Sequence, residues 1–284
     1  MSALDHFGLN ESALLGSGGQ SRVYALDATR VVRLYRPETD RGFALRLAAF
    51  YAALDVPPLP FGIPRIQETG AIDGTLYAIE TRLAGTPLIA AWPLLDPPSR
   101  SRAVMGFVQA AAAIRRIRHP QTEFGELLAA TPIRRASWRD FLVAKGEARA
   151  RECAAWLRED VPRLDRALAR YCELVAQLPE PEPDLVHGDY YTANVLVIDD
   201  GTVTAVMDFS PLSIIGDGRM DVVGAWHSLD ALEGVDRAAV QPFLQDIPRN
   251  VFDAYSAYFA LLHAGAREEV PHLYAWCVKT LNAL

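Results

Sequence analysis

The sequence predicts an α+β chain folded as two lobes: a small N-terminal antiparallel β-sheet lobe with one helix, and a larger, mainly helical C-terminal lobe. Three observations predict it. Short β-branched runs, separated by glycine and proline turns, fill residues 1–83 around a single helical stretch. From Ser99 to about Leu178 the apolar residues recur at helical spacing instead. Residues 195–198 and 202–207 then form a β-branched pair around Asp199, Asp200 and Gly201, and helical spacing resumes afterwards.

In chain order, Leu14 and Leu15 lead into Gly16, Ser17, Gly18, Gly19, Gln20 and Ser21. Glycines let backbone N–H groups approach phosphate oxygens without Cβ obstruction. Residues 23–26 and 31–35 are β-like, with a turn at Asp27-Ala28. A strand therefore follows the loop, whereas a dinucleotide-fold or Walker loop is followed by a helix. Residues 40–54 read as a helix, because Phe43, Leu47, Phe50, Tyr51 and Leu54 recur at three- and four-residue steps. Residues 56–64 contain four prolines and read as extended chain. Two strands flank Asp73-Gly74, and the second runs through residues 76–80 into Thr81, Arg82, Leu83 and Ala84. The lobe boundary is placed there, giving domains 1–83 and 84–284.

Helices are expected at 103–118, 137–158 and 164–178, with a break near Pro162. Glu180-Pro181-Glu182-Pro183 stops the helical run. Further helical segments are read at 222–229, 240–243 and 251–262. The Arg115, Arg116, Ile117, Arg118 cluster reads as a solvated helix end. Tyr255, Tyr258, Phe259, Tyr274 and Trp276 read mostly as core.

The stretch from Leu185 to Asp221 carries the chemistry. His187-Gly188-Asp189 enters a loop that ends at Asn194, and Asp208 closes the second strand of the hairpin. With Asp200-Gly201 as a two-residue tip, paired residues have numbers summing to about 401. Asn194 then faces Met207, next to Asp208. Carboxylate and amide oxygens gathered at loops suit a hard cation such as Mg²⁺, which takes one or two such groups and completes its shell with phosphate and water.

Composition bounds the rest. Half of the 284 residues are hydrophobic and 22% are charged, which fits a folded chain with a sizeable core. Cys153, Cys172 and Cys277 are an odd, widely spaced set that reads as buried thiols in a reducing compartment. Residues 1–10 lack an apolar run, and the longest apolar stretch, 103–114, is too short to span a bilayer. A soluble cytoplasmic protein with no membrane partner is expected. The net charge of −7 argues against nucleic acid. From Glu180 onward sixteen acidic residues face five basic ones, which suits a cationic small-molecule partner.

These features together resemble the aminoglycoside phosphotransferase and choline kinase family of small-molecule kinases. That family has a protein-kinase-like two-lobe fold and an H-x-D-x-x-x-x-N loop, matched here by His187, Asp189 and Asn194. The HGD form points to its small-molecule branch, as does the GDGRMD stretch bearing Asp217 and Asp221. The resemblance implies ATP or GTP with Mg²⁺ and transfer of phosphate to a hydroxyl of a small molecule, with aminoglycosides or amino alcohols among the acceptors. It implies Asp189 as the catalytic residue and Asn194 and Asp208 as metal ligands. It implies nucleotide contacts at Gly16, Ser17, Gly18, Gly19, Ser21, Val23 and Arg33, with Thr81 and Leu83 at the hinge.

One departure stands out. The family's N-lobe helix supplies an acid to the strand-three cation, and residues 43–54 contain none. Either Glu38 or Asp40 substitutes, or Arg33 is held in another way, or nucleotide binding is weakened. The departure motivates a second reading, a catalytically degenerate nucleotide-binding module. A third is a metal-dependent phosphoesterase built on His187, Asp189 and Asp208. A protein kinase is disfavoured, because the span from Asp208 to Asp217 leaves little room for an activation segment.

Overall fold

A computed structural model describes residues 2–284. After a capped turn of helix α1 (Ala3–His6), strands β1 (Leu14–Ser17), β2 (Ser21–Ala25) and β3 (Arg30–Tyr35) follow. Helix α2 (Arg41–Ala53) precedes β4 (Ile66–Ile72) and β5 (Thr75–Thr81). These strands make one antiparallel sheet in the order β1-β2-β3-β5-β4. Asp73 and Gly74 join β4 to β5 with both φ angles positive, at 47° and 82°, and Ile72 pairs with Thr75. Two left-handed residues match the twist of a two-residue hairpin. Asp40 caps α2 by accepting from Gly42 N at 2.9 Å, and the helix buries Phe43, Ala44, Leu47 and Phe50.

The second lobe begins with β6 (Thr86–Pro87), α3 (Leu88–Ala91) and the long α4 (Pro97–Ile114). Then come β7 (Phe124–Glu126), β8 (Arg134–Arg135), α5 (Trp138–Glu152), α6 (Ala154–Asp160) and α7 (Leu164–Ala176). Strands β9 (Asp184–Val186), β10 (Val195–Val197), β11 (Val203–Val206) and β12 (Ile214–Gly216) are followed by α8 (Arg219–Ser228), α9 (Gln241–Gln245), α10 (Arg249–Leu262) and α11 (Pro271–Asn282). Helix α10 is apolar almost all round and is the core of this lobe, with Tyr255, Ala257 and Leu261 fully buried. The three cysteines are free thiols. Among the described residues no helix is long and apolar enough to cross a membrane.

Two features differ from expectation. The predicted 137–158 helix breaks at Cys153, whose φ of −97° and ψ of 6° end α5 and start α6. The four-stranded sheet β8-β7-β12-β9 was not expected, because strands of two or three residues are too short to show alternation. The basic end of α4 is exposed at Arg115, Arg116 and Arg118, as a solvated end requires, and it is also fastened to the first lobe. Ile117 is fully buried, Arg118 exchanges backbone hydrogen bonds with Asp55 (2.9 and 3.0 Å), and Arg116 Nη2 donates to Pro58 O at 3.0 Å.

The hairpin that carries the candidate site keeps its expected register by an unexpected route. Val195 pairs with Val206 and Leu196 with Ala205, as a two-residue tip predicts, but Val197 pairs with Val203. The tip is a three-residue turn over Asp199, Asp200 and Gly201, closed by Ile198 N donating to Thr202 O at 3.1 Å. A bulge at Thr204 restores the register. The bulged carbonyl accepts from Gly62 N at 2.8 Å, so the proline-rich segment is bound to this hairpin.

Gly201 has φ +83°, and a Cβ there would lie 2.0 Å from the Ser99 carbonyl oxygen. Gly201→Ala is expected to destabilise the fold by roughly 2–3 kcal/mol. Urea unfolding with an unchanged slope and a lower midpoint is the expected result; an unchanged midpoint would contradict this account of the turn.

Candidate active site

The β3 register decides which side chains meet. Arg33 pairs with Val23 on β2 and with Ala78 on β5. Side chains two residues apart share a face, so Ser21 and Glu80 lie diagonal to Arg33 on one face of the sheet. Arg33 Nε donates to Glu80 Oε1 at 2.7 Å and Nη2 to Oε2 at 3.3 Å, while Nη1 donates to Ser21 Oγ at 3.0 Å. Nη2 also reaches Asp208 Oδ1 at 3.0 Å, across the gap between the lobes. Burial opposes the charge on Arg33, but Glu80 and then Asp208 outweigh it and hold the guanidinium protonated. A lysine ammonium, as a single point charge, does not present this three-way fork.

Glu80 resolves the missing helix acid. Neither Glu38 nor Asp40 reaches Arg33; Asp40 pairs with Arg46 at 2.9 Å. The cation is held by a strand, through a carboxylate only 4% exposed. Helix α2 contributes Tyr51 instead, whose hydroxyl lies beside the Phe209 backbone N–H. Phe209 packs among Phe50, Tyr51 and His187, with ring centroids 5.3, 5.9 and 4.6 Å away. Glu80 carries a sequence signal that was missed: it is the lone acid ending an apolar run, and it shares the face of Ala78.

The glycine loop lies between β1 and β2. Gly18 N donates to Ser21 O at 2.9 Å, and Arg36 holds Gly18 O with Nε and Nη2 at 3.1 Å. Gly16, Ser17, Gly18 and Gly19 are all exposed. A Cβ on Gly16, Gly18 or Gly19 would meet nothing within 4 Å, and none of the three has a positive φ. The fold itself does not require glycine there. Gly188 is the opposite case: its φ is +76°, and a Cβ would sit 2.0 Å from Leu212 O.

That glycine shapes the turn that presents Asp189. Asp221, 1% exposed, accepts from His187 N at 2.8 Å and Gly188 N at 3.0 Å. Burial pushes its carboxyl up to about 7, against the pull of these two donors. Asp217 has a different task, binding Arg219 and the Tyr255 hydroxyl. His187 is fully buried; Nε2 donates to Met207 O at 2.8 Å and Nδ1 accepts from Asp189 N at 3.3 Å. These bonds fix the neutral Nε2–H tautomer and make His187 a structural residue. No hydrogen bond holds the Asp189 carboxylate among the described residues. Burial, and then the Asp208 charge, raise it to about 6.

Asn194 lies beside this loop. Its Nδ2 donates to Asp189 O at 2.9 Å, which leaves Oδ1 as the free acceptor of the amide. Met207 N donates to Asn194 O at 2.8 Å, so Asn194 and Asp208 stand together at the open end of the hairpin. Asp208 has φ +59°, a left-handed conformation rare for a residue with a Cβ. Such strain persists where surroundings over-determine it and clusters at functional sites. Asp189, Asn194, Asp208 and Arg33 thus form one assembly. Among the described residues no group of three or more His, Cys, Asp or Glu converges as a metal cluster. At the hinge, Thr81 N is already spent on Arg65 O at 3.0 Å.

A sequence model of the phosphotransferase enzyme family (APH) matches residues 12–258. No curated protein sequence matches the chain. Among solved structures, a thermostable mutant of aminoglycoside phosphotransferase APH(4)-Ia in apo form is 22% identical, covers 99% of this chain and 97% of that one, and has a TM-score of 0.69. A ternary complex of that mutant enzyme type with ADP and hygromycin B gives 21% identity, 99% and 95% coverage and a TM-score of 0.69. The gentamicin complex of APH(2")-IIa gives 13%, 99%, 96% and 0.57. At these identities the likeness establishes the fold, the protein-kinase-like two-lobe architecture.

Burial lowers the His187 imidazole to about 4. An unfolded histidine titrates near 6.5, so the native state binds fewer protons between these values. The stability this group contributes is present above about 6.5, amounts to roughly 3 kcal/mol, and is lost as pH falls towards 4. Asp221 acts with the opposite sign, its raised carboxyl costing stability as pH rises through 4 to 7. The direct check is an NMR titration of the His187 ring: a midpoint well below 6 is expected, and one near 6.5 would show the ring open to water.

Proposed function

Because the chain belongs to the phosphotransferase enzyme family, we propose that it transfers the γ-phosphoryl group of ATP or GTP to a hydroxyl of a small molecule. The favoured acceptors are aminoglycosides and amino alcohols. The observation that carries this reading is the assembly of Asp189, Asn194 and Asp208 at one end of a hairpin, with Arg33 bonded to Asp208 from the opposite lobe. The acidic C-terminal half adds charge complementary to an amine-bearing acceptor. The similar structures with hygromycin B and gentamicin bound point the same way. We place the lobe boundary at Leu83, so that 1–83 binds nucleotide and 84–284 carries the catalytic loop, the metal site and the acceptor site.

The donor set fits Mg²⁺. Asn194 Oδ1 is free, and the Asp208 side chain is 45% exposed. Two hard oxygen donors suffice where phosphate and water complete the shell. When bound there, Mg²⁺ neutralises charge on the phosphate oxygens. Gly16, Ser17, Gly18, Gly19 and Ser21 cover the phosphates, and the missing Cβ atoms of the three glycines leave the room this needs. Val23 packs against the nucleotide from the strand beside Arg33. Arg33 turns its fork to the phosphates while Glu80 anchors Nε. Leu83 offers its backbone edge to the base, with Thr81 next to it. Asp189, free of donors and raised towards neutrality, orients the acceptor hydroxyl and takes its proton late in transfer. Positioning and charge stabilisation do most of the work.

The degenerate-module reading rested on the missing helix acid, and Glu80 removes that ground. The phosphoesterase reading loses support because His187 is sealed in the core with both nitrogens occupied.

Two outcomes test the proposal. Thermal unfolding with ATP or GTP should show a Mg²⁺-dependent rise, since a ligand at a hundred times its dissociation constant adds about 2.7 kcal/mol. Asp208→Ala should abolish the Mg²⁺-dependent part, and no rise with either nucleotide would refute nucleotide binding. Asp189→Ala should lower turnover on an active acceptor by about 10²–10⁴-fold and leave nucleotide affinity nearly intact. Turnover unchanged in that variant would remove Asp189 from the mechanism.

A further inference from the structure

The Tyr35 hydroxyl is the one buried side-chain polar atom without a hydrogen-bond partner among the described residues. Tyr35 is 4% exposed and ends β3, two residues beyond Arg33 on the same face and directly across from Ser21. A phenylalanine would fill the same space, and a buried donor left unmatched is costly to the fold. The hydroxyl is therefore unexplained by packing.

Its surroundings show what it lacks. Burial first, then Glu80 and Asp208, push the phenol up to about 12 against the pull of Arg33, so it stays protonated and acts as a donor. A guanidinium offers it no acceptor. Arg33 binds each of the acceptor residues on this face. Arg33 holds Ser21 Oγ at 3.0 Å, Glu80 Oε1 and Oε2 at 2.7 and 3.3 Å, and Asp208 Oδ1 at 3.0 Å. Nη2 is shared between Glu80 and Asp208, and it is the nitrogen that turning towards an incoming phosphate would withdraw.

We propose that Tyr35 is a state-dependent positioning residue, whose hydroxyl donates to a carboxylate oxygen that Arg33 gives up when magnesium nucleotide fills the cleft. The proposal rests on the nucleotide-dependent reading above. In the empty site Arg33 neutralises both carboxylates. In the loaded site it serves the phosphates, and Tyr35 steadies the acid left behind. The hydroxyl thus costs stability in one state and returns it as affinity in the other.

The test compares the whole chain with Tyr35→Phe, using thermal melts and calorimetric titration with Mg·ATP and Mg·GTP. Without ligand the variant should melt at the same temperature as wild type or higher. With ligand it should bind the preferred nucleotide about tenfold more weakly, raising KM for nucleotide with little change in kcat. A residue that merely packs would not move stability and affinity in opposite directions. Equal affinity in the two proteins would overturn the role of Tyr35 while leaving nucleotide binding intact. A lower ligand-free melting temperature would mean that the hydroxyl already has a partner, and would also overturn it. Failure of wild type to bind either nucleotide would sink both this inference and the reading beneath it.

Discussion

The guanidinium of Arg33 is the contact on which the site depends. It is the point at which a side chain of the five-stranded sheet touches the hairpin of the second lobe, and it does so through Asp208, a residue already in a strained conformation. The neighbouring Glu80 is nearly dry. Buried ion pairs are poor sources of net stability, yet losing one partner typically costs about 3–5 kcal/mol. Such a pair is better understood as a device for fixing where a charge sits. Here it fixes a cation between the two lobes.

The opposite wall is built by backbone constraint. Gly188 must be glycine, because its carbonyl neighbour leaves no room for a side chain. Asp221 takes the two N–H groups that this turn leaves unpaired, and His187 pins the loop to the strand that ends in Asp208. The loop and the hairpin are therefore one rigid piece, and within it the mostly buried Asp189 carboxylate is left without a donor among the described residues. Such a carboxylate keeps its hold on a proton, since each hydrogen bond to it would weaken that hold.

Much of this was legible in the sequence. The pairing of Asn194 with Met207, next to Asp208, was read correctly, although the two-residue tip it was read from is a three-residue turn offset by a bulge. The glycine loop was placed between strands, and the long apolar helices were found by period. The limits have a common cause. Glu80, Asp221 and Tyr51 act through partners 47, 33 and more than 150 residues away, and local spacing carries no record of such pairings. The short strands of the C-terminal sheet were invisible for a simpler reason: two or three residues cannot alternate.

The strand-borne acid changes how the N-terminal lobe can be controlled. An acid on a helix makes the cation's position conditional, because a helix can roll or slide away and disarm the site. Arg33 and Glu80 sit on hydrogen-bonded neighbours in one sheet, where the separation of strands is fixed at about 4.8 Å. No hinge lies between them. The ion pair therefore does not depend on where α2 sits. What α2 can still move is Phe209, through Tyr51, and with it the surroundings of Asp208.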